Sequence, residues 1–122
     1  MITLHGIRNC DTVKKARAWL EMAGIAHRFH DFKTEGLPPA LLAEWVREHG
    51  WEALLNRAGT TFRKLPEAAR APLDEARAVA LMLEHPSLVK RPVLDLGGRR
   101  LLGFKPGLYA AALTPGSTLA AP

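Results

Sequence analysis

The single cysteine of this 122-residue chain, Cys10, stands where a short apolar run gives way to a helix. The segment reads Met1-Ile-Thr-Leu-His-Gly6-Ile-Arg-Asn9-Cys10-Asp-Thr12-Val-Lys-Lys15-Ala-Arg-Ala-Trp19-Leu20. A thiol at the first turn of a helix meets unpaired backbone N–H groups and the positive end of the helix dipole. Arg8, Lys14, Lys15 and Arg17 add positive charge nearby in sequence. Both features favour a thiolate, which is the nucleophilic form of the side chain. The alternative is a small packed residue, but that role suits a cysteine inside an apolar run better than one at a strand–helix turn.

The elements that position this cysteine follow from pattern. Ile2 to His5 is a short β-prone run ended by Gly6, and Asn9 is the expected helix N-cap, with Asp11 in the first turn. Val13, Ala16, Trp19, Leu20 and Ala23 recur at helical spacing, and Gly24 supplies a stop. Ala26 to Phe32 reads as a second strand, with His27, Phe29 and Asp31 on one face. A β-α-β opening implies a right-handed crossover and parallel strands. After Gly36 and Pro38-Pro39, a second helix carries the stripe Leu41, Leu42, Trp45, Val46 and His49, closed by Gly50. A short helical piece spans Trp51 to Asn56, and a further turn after Gly59-Thr60-Thr61 carries Phe62 and Leu65. Pro72 is expected to open a third helix with the stripe Leu73, Ala76, Val79, Ala80 and Leu83, ended by His85-Pro86.

The last third changes period. Val93 to Leu96, a Gly97-Gly98 turn and Arg99 to Phe104 form a hairpin signal, and Lys105-Pro106 starts a final helix through about Leu113. The order β-α-β, helical middle, β-β-α describes a thioredoxin-like α/β sandwich. The expectation is a single domain over 1–113, with a helical insertion at about 38–86 and a frayed tail at 114–122. Pro92, at the start of the third core strand, occupies the place where that architecture often holds a cis proline beside the cysteine-bearing turn.

Composition narrows the function. Nearly half the residues are apolar, enough for a real core at this length. One cysteine excludes an intramolecular disulfide framework, which makes a reducing cytoplasm the expected compartment. No signal peptide is visible, and no apolar run approaches the ~20 residues that span a bilayer. The formal charge of +5 suits an oxyanion or an acidic thiol such as glutathione. The basic residues are spread along the chain and not interleaved with aromatics, which argues against nucleic acid.

Three segments in this order resemble the ArsC/Spx family, the glutaredoxin-linked arsenate reductases and their relatives. They are Gly6-Ile-Arg-Asn-Cys10-Asp-Thr-Val-Lys-Lys-Ala, then Leu54-Leu55-Asn-Arg-Ala-Gly59-Thr-Thr-Phe-Arg-Lys-Leu65, then His85-Pro-Ser-Leu-Val-Lys-Arg91-Pro92-Val93. The resemblance covers about 1–113 and is nearest to the small ArsC-related reductases. It implies that Cys10 is the catalytic nucleophile and that Arg91 faces the cysteine loop, where a guanidinium binds an oxyanion or carboxylate bidentately. It further implies anion-binding roles for Arg57, with a one-residue uncertainty, and for the residue before the last proline, here Lys105. Asn9, Thr12, Lys14 and Pro92 complete the expected site, Thr12 with the backbone amides of the first turn and Lys14 one turn past the thiol.

Two departures shape the expectation. Dithiol relatives and Spx-type regulators carry a second cysteine where this chain has Val13. Turnover therefore needs a borrowed thiol, which implies glutathione, with glutaredoxin as a further partner, and no bound cofactor. Arsenate reductases place an arginine where this chain has Lys105, which supplies charge without a planar fork; this argues against arsenate itself. Asn9, Asp11 and Thr12 also differ from that group. The resulting expectation is a monothiol reductase acting on an arsenate-like oxyanion or a glutathione mixed disulfide. The alternative is an Spx-like, non-enzymatic regulator that binds RNA polymerase. His27 and His30 fall on opposite faces of a strand and lack partners for a zinc set, so no metal site is expected. Trp19, Trp45 and Trp51 read as core residues, and Lys15 as part of a solvated face.

Overall fold

The computed structural model describes residues 2–113; the expected tail at 114–122 lies outside them. The chain falls into two compact units, one containing residues up to His30 and from Arg91 onward, the other Asp31–Lys90.

The first unit is built on a four-stranded sheet in the order β2-β1-β3-β4. Its strands are β1 (Thr3–Gly6), β2 (Arg28–Asp31, whose last residue begins the second unit), β3 (Val93–Asp95) and β4 (Arg100–Leu102). β1 pairs antiparallel with β3, Leu4 opposite Leu94 and His5 opposite Val93, and β3 pairs antiparallel with β4. Helices α1 (Asp11–Met22) and α8 (Pro106–Leu113) supply the rest. Side chains alternate across a strand, so Leu4 and Leu94 share one face. There they are buried with Ala16 and Leu20 of α1 and Tyr109 of α8. Tyr109 meets Trp19 and Phe104 edge-on, with ring centroids 5.6 and 4.9 Å apart. Each buried leucine stabilises this packing by about 1.5–3 kcal/mol. The architecture is the thioredoxin-like βαβ…ββα arrangement expected from the element order.

The turns obey the sequence signals closely. Gly24 has φ +70°, and the Gly24 and Ile25 amides donate to the Glu21 and Leu20 carbonyls at 3.1 and 2.9 Å. That is a Schellman ending, and it requires a residue that tolerates the left-handed region. The hairpin closes over Gly97-Gly98 with the Leu96 amide donating to the Arg99 carbonyl at 2.9 Å. Strand β2 is shorter than expected because Asp31 turns the chain: its carboxylate accepts from the Lys33 amide at 2.9 Å and caps the one-turn helix α2 (Phe32–Glu35).

The second unit is helical among its described residues, apart from a single bridge between Leu55 and Val89. It contains α2, α3 (Pro39–His49), α4 (Trp51–Leu54), α5 (Thr60–Arg63), α6 (Glu67–Arg70), α7 (Glu75–Glu84) and a 3-10 turn at Pro86–Leu88. Trp45 is fully buried and lies 6.2 Å from Phe32, centroid to centroid. Trp19 and Trp51 are only half-buried.

Two expectations fail here. The third helix does not open at Pro72; it opens after Asp74, whose carboxylate accepts from the Arg77 amide at 2.9 Å. A capping carboxylate satisfies an orphan amide, which Pro72 cannot do. Nor is the expected stripe the buried one. Ala78 and Met82 are fully buried, whereas Ala76 and Ala80 are exposed. Seven of the ten residues of α7 are Ala, Val, Leu or Met, so apolar stripes compete and period alone does not choose the face.

Candidate active site

The site begins with a contact that only glycine permits. A Cβ built on Gly6 would lie 2.8 Å from Cγ2 and 3.3 Å from Cγ1 of Val13. The end of β1 therefore packs its bare backbone against the first turn of α1, where Val13 is fully buried. Between them run buried Ile7 and exposed Arg8 and Asn9.

Cys10 itself occupies the N-cap of α1, which corrects the expectation for Asn9. Its backbone is extended (φ −124°, ψ 125°), its carbonyl accepts from the Lys14 amide at 2.9 Å, and its side chain makes no capping hydrogen bond. The helix thus starts one residue later than an Asn9 cap would set it. The thiol is half-buried. Asn9 and Thr12 flank it as exposed residues, and Lys14 stands exposed one turn on.

Sheet register brings the other expected residues to the same end. His5 lies opposite Val93, so the antiparallel pair places Arg91-Pro92, entering β3, beside Gly6-Ile7, leaving β1. The Arg91–Pro92 peptide is cis. The Pro92 carbonyl accepts from the Gly103 amide at 2.8 Å, which ties the exit of β4 to the same point. Lys105 follows two residues later, exposed, and its carbonyl accepts from the Tyr109 amide in the first turn of α8 at 3.0 Å. Cys10, Arg91, Pro92 and Lys105 therefore gather at one end of one sheet. Arg57 belongs to the second unit, where its guanidinium lies over the Trp51 ring, 5.7 Å from the centroid.

Phe29 of β2 is a participant that the strand pattern alone did not single out. Arg17 of α1 lies over its ring at 4.4 Å and Arg8 of the cysteine loop at 5.8 Å. Cation–π contacts of this kind are worth about 0.5–1 kcal/mol at exposed sites. The signal in the sequence was two arginines, one either side of Cys10, and an aromatic on the following strand.

Below the site, His5 and His30 are both buried, with ring centroids 5.0 Å apart. Burial first, then the neighbouring His30, Arg28 and Arg100, holds His5 down at a pKa of about 4, against the opposing pull of Asp95. His27 instead sets Nδ1 2.9 Å from the Ile25 carbonyl.

Comparison with known proteins gives the family. The ArsC family model matches residues 5–112. An uncharacterised protein of Haemophilus influenzae is 42% identical, covering 92% of this chain and 98% of its own. The global transcriptional regulator Spx of Streptococcus agalactiae is 32% identical, over 85% of this chain and 77% of its own. Among solved structures, the YFFB protein is 59% identical with a TM-score of 0.91, covering 93% of this chain and all of the other. An arsenate reductase (ArsC) related protein from Brucella melitensis is 55% identical with a TM-score of 0.74, over 93% and 94% of the two chains. The chain belongs to the ArsC family.

Proposed function

We propose that this ArsC-family protein is a monothiol reductase with Cys10 as its nucleophile. The reading rests above all on the sheet register, which brings the N-cap thiol, the Arg91-Pro92 segment and Lys105 to one end of the sheet. In the disulfide route, the Cys10 thiolate attacks one sulfur of a glutathione mixed disulfide. An S–S bond forms to Cys10 as the old one breaks, and the released thiolate leaves with the electron pair. A second glutathione, or glutaredoxin, attacks the new disulfide and returns Cys10 to the thiolate. In the oxyanion route, Cys10 displaces water from a protonated arsenate-like oxyanion. Attack by glutathione on the Cys10 sulfur then forms a Cys10–glutathione disulfide and passes the electron pair of the sulfur–oxyanion bond to the central atom, which is reduced by two electrons; a second glutathione, or glutaredoxin, releases Cys10 from that disulfide.

Arg91 and Lys105 offset the developing negative charge. Thr12, Asn9 and Lys14 line the approach beside Pro92. Val13 leaves no local partner thiol, so the second thiol comes from solution. The test is turnover of arsenate and of glutathionylated substrates, with reduced glutathione supplied. Cys10→Ser is expected to lose at least a hundredfold of whichever activity is present, and undiminished turnover would refute the assignment.

A second reading has its own support. Spx regulators are similar over 85% of this chain, which favours a regulator that binds RNA polymerase. Stoichiometric recovery of polymerase subunits from a bacterial lysate, unaffected by Cys10→Ser, would favour that reading.

A further inference from the structure

The charge of this chain is divided unevenly. The unit that bears Cys10 holds nine basic residues against three acidic ones, whereas Asp31–Lys90 holds eight against nine. The unit that bears the thiol thus carries +6 and the other −1. Along α1, Cys10, Lys14 and Arg17 fall at helical offsets of four and seven, which puts them on one face. With a rise of 1.5 Å per residue, the two cations stand about 6 and 10 Å along the axis from Cys10. Lys14 is exposed. Arg17 is steadied over Phe29 at 4.4 Å, and Arg8 adds a second guanidinium over the same ring. Glu21, one further turn along the same face, closes the basic stretch. The one other acid of the helix, Asp11, lies about 100° round from Cys10.

A bare oxyanion at the sulfur would have no use for a cation 10 Å away. We propose that the Cys10–Lys14–Arg17 face of α1 recognises an acidic peptide segment flanking the disulfide of the substrate. This rests on Cys10 being the nucleophile, and it names the substrate class as an acidic peptide or protein disulfide. Lys14 takes the first carboxylate, and the Arg17–Phe29–Arg8 stack takes the next.

The probes are eight-residue peptides with one cysteine held as a methyl disulfide, flanked on one side by two Glu, two Gln or two Lys. The rate at which Cys10 acquires the peptide or methylthio group is followed by mass spectrometry. The Glu peptide is expected to react about tenfold faster than the Gln peptide at 20 mM salt, with the Lys peptide slowest, and the ratio is expected to shrink by 300 mM salt. In Arg17→Gln the Glu-to-Gln ratio is expected to fall severalfold. Arg17→Lys, which keeps the charge but not the stacking plane, is expected to fall between, and circular dichroism reports on folding of both.

Equal rates for the Glu and Gln peptides, with all three exchanging readily, would overturn the acidic-segment proposal and leave the reductase reading standing. A ratio unchanged by Arg17→Gln would overturn it also. Failure of Cys10 to react with any of the disulfides or with iodoacetamide would remove the reductase reading and this proposal with it.

Discussion

The sharpest test of how the cysteine is held uses Gly6 and Val13 together. In Gly6→Ala the new Cβ would stand 2.8 and 3.3 Å from the two γ-carbons of Val13, well inside the ~3.5–4.0 Å of ordinary carbon contact. Val13 is fully buried and β-branched, so it has no free rotamer to retreat into. Overpacking of this size costs about 1–3 kcal/mol, offset by the ~0.4–1 kcal/mol that alanine contributes by restricting the unfolded chain. A net loss of about 1–2 kcal/mol is expected. Val13→Ala removes two buried methyls, at about 0.8 kcal/mol each plus a cavity term, for about 2 kcal/mol in all. The double variant removes the very atoms that the new methyl strikes, so it is expected to lose only about 2 kcal/mol, a favourable coupling of 1–2 kcal/mol. Urea midpoints and slopes for the four proteins give the cycle. The alkylation rate of Cys10 by iodoacetamide is expected to drop in Gly6→Ala and recover in the double variant. Additivity within about 0.5 kcal/mol would show that Gly6 is not there for close approach.

Three further outcomes follow from the same geometry. His5 titrates near 4 in the fold against ~6.5 in the unfolded chain, so the unfolded state binds more protons between those values. Stability from this group is full above pH 6.5 and falls towards pH 4; at pH 4.5 the loss relative to pH 7.5 is on the order of 2 kcal/mol, and His5→Gln should lack that component in urea titrations at the two pH values. Val13→Cys places thiols at the N-cap and third helical position, within disulfide reach; mild oxidation is expected to remove both free thiols and lower the glutathione requirement for turnover, at about 1 kcal/mol in stability. Lys105→Arg supplies a planar fork at the proposed anion site and is expected to raise arsenate turnover relative to disulfide turnover, a ratio measurable in a coupled assay.

Where a residue's local chemistry settles its conformation, the sequence could be read directly. Gly24 and Gly97 both adopt positive φ, and each sits at an expected stop or turn. The Val93–Leu102 hairpin and the helix after Lys105 also follow from turn residues and period. The middle of the chain was less legible for a physical reason. Its one-turn helices, such as Glu67–Arg70, are too short to show a period, and α7 is apolar on almost every side. The N-cap was missed by one residue because Asn9 has the better capping side chain, while the fold places Cys10 there with no capping hydrogen bond at all.

That exchange of a good cap for a poor one is the strongest physical argument about the site. Asn or Asp at an N-cap stabilises a helix by about 1 kcal/mol over residues that cannot accept from its first-turn amides. This chain carries Asn9 next door and still sets Cys10 at the cap, with the Gly6–Val13 contact fixing the register. The Asn9 side chain is thereby left outside the helix, and the thiol receives the helix dipole with no competing carboxamide. A purely structural cysteine would gain nothing from the position. A nucleophile gains the field of the helix, the Arg91-Pro92 segment across the sheet register, and a line of cations leading away along α1. An uncapped start is shared by other helices of the chain, such as α3 after Pro38; what sets α1 apart is that a good cap stands next door and a thiol takes its place.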